Sequence, residues 1–194
     1  MIIVAHRINR ISELTALPAE FGVEIDVRAE GKKLILNHEP FMSGDLLEGY
    51  LQACAKDRLI VFNIKEAGIE SEVHLLAAKY GIKNYFLLDV EFPYIYRAAR
   101  AGEGRIAMRF SEDESLETVL KYKGLVDWVW IDTNTVLPLD ESVVKNLQGF
   151  KTCLVCPERW GRPGDIAAYR LKSEKLGMQF DAVMTSVKCA HLWK

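Results

Sequence analysis

The feature that most constrains the fold is a succession of short apolar runs separated by helix-like segments. Several runs are apolar at consecutive positions, which is typical of parallel strands covered on both faces. Eight such runs predict strands at residues 2–5, 23–27, 59–63, 85–88, 105–108, 128–131, 152–155 and 182–184. Helical spacing or helix start and stop signals predict helices at residues 45–56, 70–80, 93–101, 111–122, 141–147 and 165–176.

Strands that alternate with helices indicate an α/β fold with a mostly parallel sheet. Eight such strands favour a compact (β/α)8 TIM barrel, although counting strands leaves an open doubly wound sheet as an alternative. The turn-like stretch Ala-Glu-Gly-Lys at residues 29–32 predicts a hairpin extension after strand two. A chain of 194 residues that is 49% hydrophobic is expected to form one domain, residues 1–194.

Composition narrows the function classes. Charged residues make up 27% of the chain and the net charge is −2, so no basic excess indicates a nucleic-acid partner. No apolar run approaches the length of a membrane span or a signal sequence, and a cytoplasmic protein is therefore expected. The cysteines lack the spacing of a zinc site and are expected to be reduced thiols: Cys54, Cys153, Cys156 and Cys189.

Glu24-Ile25-Asp26 is the sharpest local motif. Residues two apart on a strand point to the same face, so both carboxylates are expected to face the mouth of the barrel while their apolar neighbours pack against helices. Two crowded like charges repel, and a divalent cation would relieve this repulsion. Oxygen ligands suit Mg²⁺ or Ca²⁺. The alternative is a solvated face on a partly exposed strand.

Further polar side chains occur where predicted strands end. His6 and Arg7 follow strand one, and His38 follows the hairpin. A pair of histidines suits general acid–base chemistry, and a guanidinium suits a phosphate. Arg109 follows strand five and Glu158 follows strand seven, and both are candidates for substrate binding. A barrel builds its site from these strand ends.

The order of these motifs resembles the glycerophosphodiester phosphodiesterase family, within the wider group of phosphatidylinositol-phospholipase C-like barrels. The family pattern is H-R-G, then E-x-D-V, then a hairpin and H-D. The chain carries His-Arg at residues 6–7, Glu-Ile-Asp-Val at residues 24–27 and Asn-His at residues 37–38. Phe-Asn-Ile-Lys at residues 62–65 is similar to the third-strand I-E-I-K element, and residues 181–185 are similar to the closing D-G-I-x-T strand.

The resemblance implies a metal-dependent phosphodiester hydrolase that acts on a small-molecule or headgroup diester. His6 and His38 would form the acid–base pair. Arg7 and Lys65 would bind the phosphate. The Mg²⁺ or Ca²⁺ ligands would be Glu24, Asp26 and Asn63.

The chain departs from the family pattern at three positions near the site. Ile8 replaces glycine, Glu39 replaces aspartate, and Asn63 stands where the family has a third metal-binding glutamate. Metal affinity is therefore expected to be weaker, unless Asp89 or Glu158 substitutes as a ligand. There is also no room for the capping insertion that shapes the substrate pocket, so the resemblance does not define the headgroup.

Two other functions remain open at this point. A binding-only barrel for a phosphorylated ligand is favoured by Asn63. An unrelated barrel enzyme, such as a sugar-phosphate isomerase or an aldolase, would use Lys65 as a Schiff-base lysine. Trp160, Phe41 and Met42 are expected to pack on the rim of the barrel, with exposure near its mouth, which would suit a membrane contact, as the alternative. The oligomeric state is not indicated.

Overall fold

The computed structural model describes residues 1–193 and contains ten strands, seven α-helices and three 3₁₀ segments within that range. They form two compact units, one spanning Val4–Ile95 and the other combining Met1–Ile3 with the chain from Tyr96 onward. The one-domain organisation expected from chain length stays a prediction. No helix among residues 1–193 is long and apolar enough to cross a membrane.

The unit Val4–Ile95 holds the predicted strands one to four and the hairpin. Its elements, together with the strand and helix that cross its boundaries, are β1 Ile2–Ala5, α1 Ile11–Ala16, β2 Gly22–Glu30, β3 Lys33–Leu36, β4 Asp45–Leu46, α2 Leu47–Ala53, β5 Ile60–Ile64, α3 Glu70–Lys79, β6 Tyr85–Leu88 and α4 Phe92–Arg100. Strands β1, β2, β5 and β6 pair in parallel, whereas β3 pairs antiparallel with both β2 and β4. The predicted hairpin extension is therefore confirmed.

The other unit repeats the strand–helix alternation. Its elements are β7 Ala107–Phe110, α5 Leu116–Leu120, β8 Trp128–Ile131, α6 Glu141–Leu147, β9 Lys151–Val155, α7 Ile166–Lys175 and β10 Ala182–Thr185, with 3₁₀ segments at Pro157–Trp160, Pro163–Asp165 and Val187–Trp193. Strands β7 to β10 pair in parallel in chain order. The predicted α/β fold with mostly parallel strands is confirmed.

Burial explains why the apolar runs form strands. All four residues of β6 and of β8 are buried, as expected for strands covered on both faces. In β2, Val23, Ile25 and Val27 are fully buried, and in β5 Phe62 packs edge-to-face on Tyr85 with ring centroids 5.3 Å apart. The core therefore lies along the parallel strands and holds their polar ends in fixed positions.

Several predicted boundaries are wrong. The helix predicted at residues 45–56 begins at Leu47, because Asp45 and Leu46 form β4. The helix predicted at residues 111–122 begins at Leu116, where the Ser115 hydroxyl accepts a hydrogen bond from the Thr118 amide. Helix α1 was not predicted; it is six residues long and mostly exposed. All four cysteines are free thiols.

Candidate active site

The turn after β1 wraps around the carboxylate of Glu24. The Arg7 amide donates a hydrogen bond to Glu24 Oε2 (2.8 Å), and the Ile8 amide donates to the Glu24 carbonyl (3.0 Å). Arg7 adopts a left-handed backbone with φ 54°, whereas Ile8 is not among the non-glycine residues with positive φ. Isoleucine in place of the family's glycine therefore causes no backbone strain.

Glu24 and Asp26 are buried side by side on β2. Their relative exposures are 1% and 0%. On the neighbouring parallel strand β5, Asn63 is the register partner of Asp26. The alternative of a solvated face on a partly exposed strand is therefore wrong, because both carboxylates and the intervening Ile25 are inaccessible to solvent.

Burial perturbs Glu24 strongly. Loss of solvent and the nearby charge of Asp26 together raise the pKa of Glu24 from 4.5 to about 7. Hydrogen bonds from the Asn63 side-chain amide (2.8 Å) and the Arg7 backbone, together with the charge of Lys65, oppose this rise. His6 Nε2 lies 3.9 Å from Glu24 Oε2. A carboxyl that titrates near neutral pH beside a second carboxyl is a common feature of functional sites.

Asp26 is held by three cationic or amide side chains. Asn9 Nδ2 donates to Asp26 Oδ2 (2.8 Å), and the Asp26 amide donates back to Asn9 Oδ1 (2.8 Å). Lys65 Nζ lies 3.2 Å from Asp26 Oδ1, and Arg7 Nε lies 3.9 Å from Asp26 Oδ2. Sequence reasoning missed Asn9, although its place three residues after His6 is a signal that it belongs to the strand-end loop.

Lys65 links a carboxylate on β2 to a carboxylate that follows β6. Its ammonium lies 3.6 Å from Asp89 Oδ2 as well as close to Asp26, and its backbone amide donates to the Val27 carbonyl. Asp89 follows β6 and has a left-handed backbone with φ 58°. Two non-glycine residues of this site, Arg7 and Asp89, therefore carry backbone strain, which often accompanies functional positions.

His38 is positioned by its backbone as well as by its ring. Arg28 donates two hydrogen bonds, from Nε and Nη2, to the His38 carbonyl (3.2 and 2.8 Å). It also forms an ion pair with Glu66 (3.4 Å). Glu39 Oε1 lies 2.6 Å from His38 Nδ1, and this hydrogen bond lowers the pKa of Glu39. Glutamate in the family's aspartate position therefore still orients the imidazole. Sequence reasoning did not identify Arg28.

A cavity of about 530 Å³ opens beside these residues. Arg7, Asn9, Arg10 and His38 are among the residues that line it. The structure therefore brings Arg7 and His38 to one cavity, and direct contacts connect Arg7 to the Glu24–Asp26 pair.

Arg109 and Glu158 lie in the other compact unit. Arg109 forms an ion pair with Asp132. Glu158 Oε1 accepts hydrogen bonds from the Thr185 hydroxyl (2.9 Å) and the Ser186 amide (2.5 Å). Their assignment as substrate-binding residues stays a prediction.

The donor set for a cation consists of two carboxylates and one amide. Asn63 Oδ1 is buried and accepts no hydrogen bond, and the same is true of Asp26 Oδ1 despite the nearby ammonium of Lys65. Buried oxygens without donors are costly unless a cation or water satisfies them. No group of three or more His, Cys, Asp or Glu side chains in residues 1–193 is arranged to hold a metal, so Asn63 would have to complete the set.

The fold belongs to the class of (β/α)8 TIM barrels, and the predicted fold class is confirmed by comparison with solved structures. A glycerophosphodiester phosphodiesterase from Thermotoga maritima superposes with a TM-score of 0.70 at 17% identity, covering 95% of this chain and 94% of that one. The glycerophosphoryl diester phosphodiesterase domain of a Mycobacterium tuberculosis protein gives 0.68 at 15% identity, with 99% and 98% coverage.

A glycerophosphoryl diester phosphodiesterase from Parabacteroides distasonis also gives 0.68, at 12% identity, with 98% and 85% coverage. The fold is therefore the one that the motif resemblance implies. No protein-family model matches the chain, and no curated protein matches it in sequence.

Proposed function

We propose that this chain is a metal-dependent phosphodiester hydrolase of the glycerophosphodiester phosphodiesterase type. The observation that carries the proposal is the buried Glu24–Asp26 pair on β2, flanked by Arg7 and Lys65, which follow the ends of β1 and β5. Buried carboxylates with adjacent cations suit a site for a dianionic or monoanionic phosphate with a counter-cation. The neighbouring structures' names supply the substrate class, a small phosphodiester.

The reaction would replace one ester bond of the diester by a bond to water. One imidazole of the pair His6 and His38 would accept a proton from the attacking hydroxyl as the new oxygen–phosphorus bond forms. The other would donate a proton to the leaving alcohol as its bond to phosphorus breaks. A hydroxyl of the substrate could take the place of water in the first step and give a cyclic phosphate. Arg7 would hold the non-bridging oxygens.

The residues present fit a hard divalent cation, Mg²⁺ or Ca²⁺. Glu24, Asp26 and Asn63 would hold it, because two of their buried oxygens have no hydrogen-bond donor. When bound, the cation would neutralise negative charge on the phosphate oxygens. Lys65 would balance the remaining charge of Asp26 and position that carboxylate.

A second candidate is a barrel that binds a phosphorylated ligand without turnover. It is favoured by the hydrogen bond from Asn63 to Glu24, which already satisfies one carboxylate oxygen without a metal. The Schiff-base alternative gains no support, since Lys65 contacts two carboxylates and suits a charge-balancing group.

Hydrolysis of bis-(p-nitrophenyl) phosphate tests the proposal. Turnover should require Mg²⁺, Ca²⁺ or Mn²⁺, stop with EDTA, and fall by about 10²–10⁴ in His6→Ala and His38→Ala. His191→Ala is the matched control, because His191 is exposed and lies in the other compact unit. Turnover that is equal in all three variants would refute the roles of the histidines. Phosphate-ligand binding without turnover would favour the second candidate.

A further inference from the structure

An exposed apolar tip lies directly after the candidate catalytic histidine. The tip is defined here as residues 40–42, Pro-Phe-Met, in the loop between β3 and β4. Phe41 is 103% exposed relative to a free residue, and Met42 is 59% exposed. The prediction from sequence that Phe41 and Met42 pack on the rim is therefore wrong. Phe41 also has a left-handed backbone with φ 63°, so the tip combines strain with exposure of a large aromatic ring.

The loop that carries the tip is firmly anchored at its base. Asn37 donates from Nδ2 to the Ser43 carbonyl (2.9 Å) and accepts from the Glu39 amide (2.9 Å). The Ser43 hydroxyl donates to Glu30 (2.8 Å). Gly44 lies so close to β3 that an added Cβ would be 2.1 Å from the Leu36 carbonyl oxygen. The tip is therefore held outward by a defined base and not by a loose segment.

The base of the loop that carries the tip lines the same cavity as several basic side chains. Arg7, Arg10 and His38 line the same cavity as Asn37, Ser43 and Gly44, the residues that anchor the loop. The two carboxylates that also line it are committed to the start of α1: Glu13 accepts from the Arg10 amide (3.1 Å) and Asp45 from the Ile11 amide (2.7 Å). Two guanidinium groups therefore face the cavity beside an apolar projection.

The small size of the tip favours a lipid surface over a protein as its binding partner. A protein partner or a second copy of the chain needs about 800 Å² on each side for a stable interface, far more than three residues provide. A lipid surface has no such requirement, because each aromatic or apolar side chain that enters the headgroup boundary contributes independently, and basic side chains add attraction to anionic lipids. An exposed Phe-Met pair, on a loop whose base lines a cavity with two arginines, meets both conditions.

We infer that residues 40–42 insert into an anionic phospholipid surface and thereby present the cavity of Arg7 and His38 to the phosphodiester headgroups at that surface. The inference rests on the proposed function and adds the source of the substrate to it. The phosphate that Arg7 would hold then belongs to a lipid headgroup within reach of the loop, and Arg10 contributes charge complementarity to neighbouring anionic lipids.

Co-sedimentation with sucrose-loaded vesicles tests the inference without depending on turnover. The probes are vesicles of phosphatidylcholine alone and of phosphatidylcholine mixed with phosphatidylglycerol. Phe41→Ser and Met42→Ser should each lower the partition coefficient about tenfold, whereas Phe41→Trp should preserve it. Arg10→Ser should weaken binding to the anionic vesicles only, and added salt should remove the same increment. Leu75→Ser is the matched control, since Leu75 is 64% exposed in the same unit.

Each outcome separates the inference from the proposed function. Hydrolysis of the aryl diester with no vesicle binding would overturn the lipid inference and leave the hydrolase intact. Vesicle binding without hydrolysis would support the lipid inference and count against the hydrolase. Equal loss of binding in the Phe41 and Leu75 variants would overturn the role of the tip. Dimerisation abolished by Phe41→Ser, with no vesicle binding, would overturn it in favour of a second copy of the chain.

Discussion

Replacement of Asn63 by aspartate tests whether the strand-end oxygens form a cation site. The Asn63 amide donates to Glu24 over 2.8 Å, and both side chains are buried. Aspartate has nearly the same shape but accepts where asparagine donates. The change removes a hydrogen bond to a charged group, worth about 1.5–3 kcal/mol. It also adds a buried carboxylate without a partner, so the expected total loss in the free energy of unfolding is about 3–5 kcal/mol in EDTA.

A cation should reverse much of this loss. A metal present at 100 times its dissociation constant stabilises the folded state by about 2.7 kcal/mol. Asn63→Asp should therefore gain more stability from Mg²⁺ or Ca²⁺ than the wild-type chain does. The assay is urea unfolding followed by intrinsic tryptophan fluorescence, at about pH 8, because the pKa of Glu24 lies at about 7 and its carboxyl must be ionised.

Asn63→Leu provides the matched control for this experiment. Leucine removes the amide hydrogen bond without adding charge and supplies no oxygen ligand, so the free energy of unfolding of this variant should be the same in EDTA and in metal. The reasoning is refuted if Asn63→Asp unfolds at the same urea concentration with EDTA and with saturating cation. A loss of stability below about 1 kcal/mol in EDTA would also refute it, since a buried unpaired charge costs more than that.

Three further predictions concern stability. Burial keeps the pKa of Glu24 at about 7 in the folded protein, against 4.5 in the unfolded chain. The folded state therefore binds the proton more tightly, which stabilises it by about 3 kcal/mol below about pH 4.5, and this stabilisation is lost as the pH rises through 7. Asn9→Ala should lower the free energy of unfolding by about 2–4 kcal/mol, because two partly buried hydrogen bonds with the buried Asp26 are lost. Gly44→Ala should cost about 1–3 kcal/mol, because the new Cβ overlaps the Leu36 carbonyl.

Urea unfolding in EDTA measures all three, each with its own comparison. Glu24→Gln should show less decline in stability between about pH 5 and about pH 8 than the wild type, and an equal decline would contradict the prediction. Asn146→Ala, at a half-buried asparagine whose side chain donates only a long, exposed hydrogen bond to Ser142 (3.5 Å), should change stability by less than about 0.5 kcal/mol. Gly164→Ala should also be nearly neutral because no atom lies within 4 Å of its added Cβ, and a loss equal to that of Gly44→Ala would exclude the steric reasoning.

The strands could be predicted because each carries its own signal. A parallel strand buried on both faces needs a continuous apolar run, and the runs at residues 85–88 and 128–131 coincide with β6 and β8. The run predicted at residues 105–108 is displaced from β7, Ala107–Phe110. Arg105 is bound to Glu103 before the strand, while Arg109 interrupts the apolar pattern inside it. Local composition does not indicate which of these two arginines lies inside the strand.

The helix boundaries depended on contacts that lie far apart in sequence. Asp45 reads as the start of a helix because an acidic residue precedes an apolar period. In the structure its carboxylate instead accepts from the amide of Ile11, 34 residues earlier, while its backbone in β4 pairs with Leu36 of β3. Ser111 has the sequence of a cap, but its hydroxyl accepts from the Asp113 amide in a turn. Hydrogen bonds formed in the folded structure therefore determine where both helices begin.

The residues of the candidate site also divide into those that the sequence indicates and those that only the structure reveals. Glu24, Asp26 and Lys65 could be found because charged residues at strand ends break an apolar pattern. Asn9 and Arg28 could not be assigned a role, since neither belongs to the quoted motif. Their roles exist only after the chain places Asn9 against a carboxylate 17 residues away and Arg28 against a carbonyl 10 residues away.

Asn63 shows most clearly what the structure adds. From sequence, an amide in place of a glutamate predicts only a weaker metal ligand. In the structure the same amide donates to Glu24 while its own oxygen lies buried without a donor. A cation held by the amide oxygen leaves this hydrogen bond intact, whereas a cation held by Glu24 Oε1 competes with it. Replacement of Asn63 by aspartate removes the donor and keeps an oxygen ligand, so the variant separates hydrogen bonding to Glu24 from cation binding.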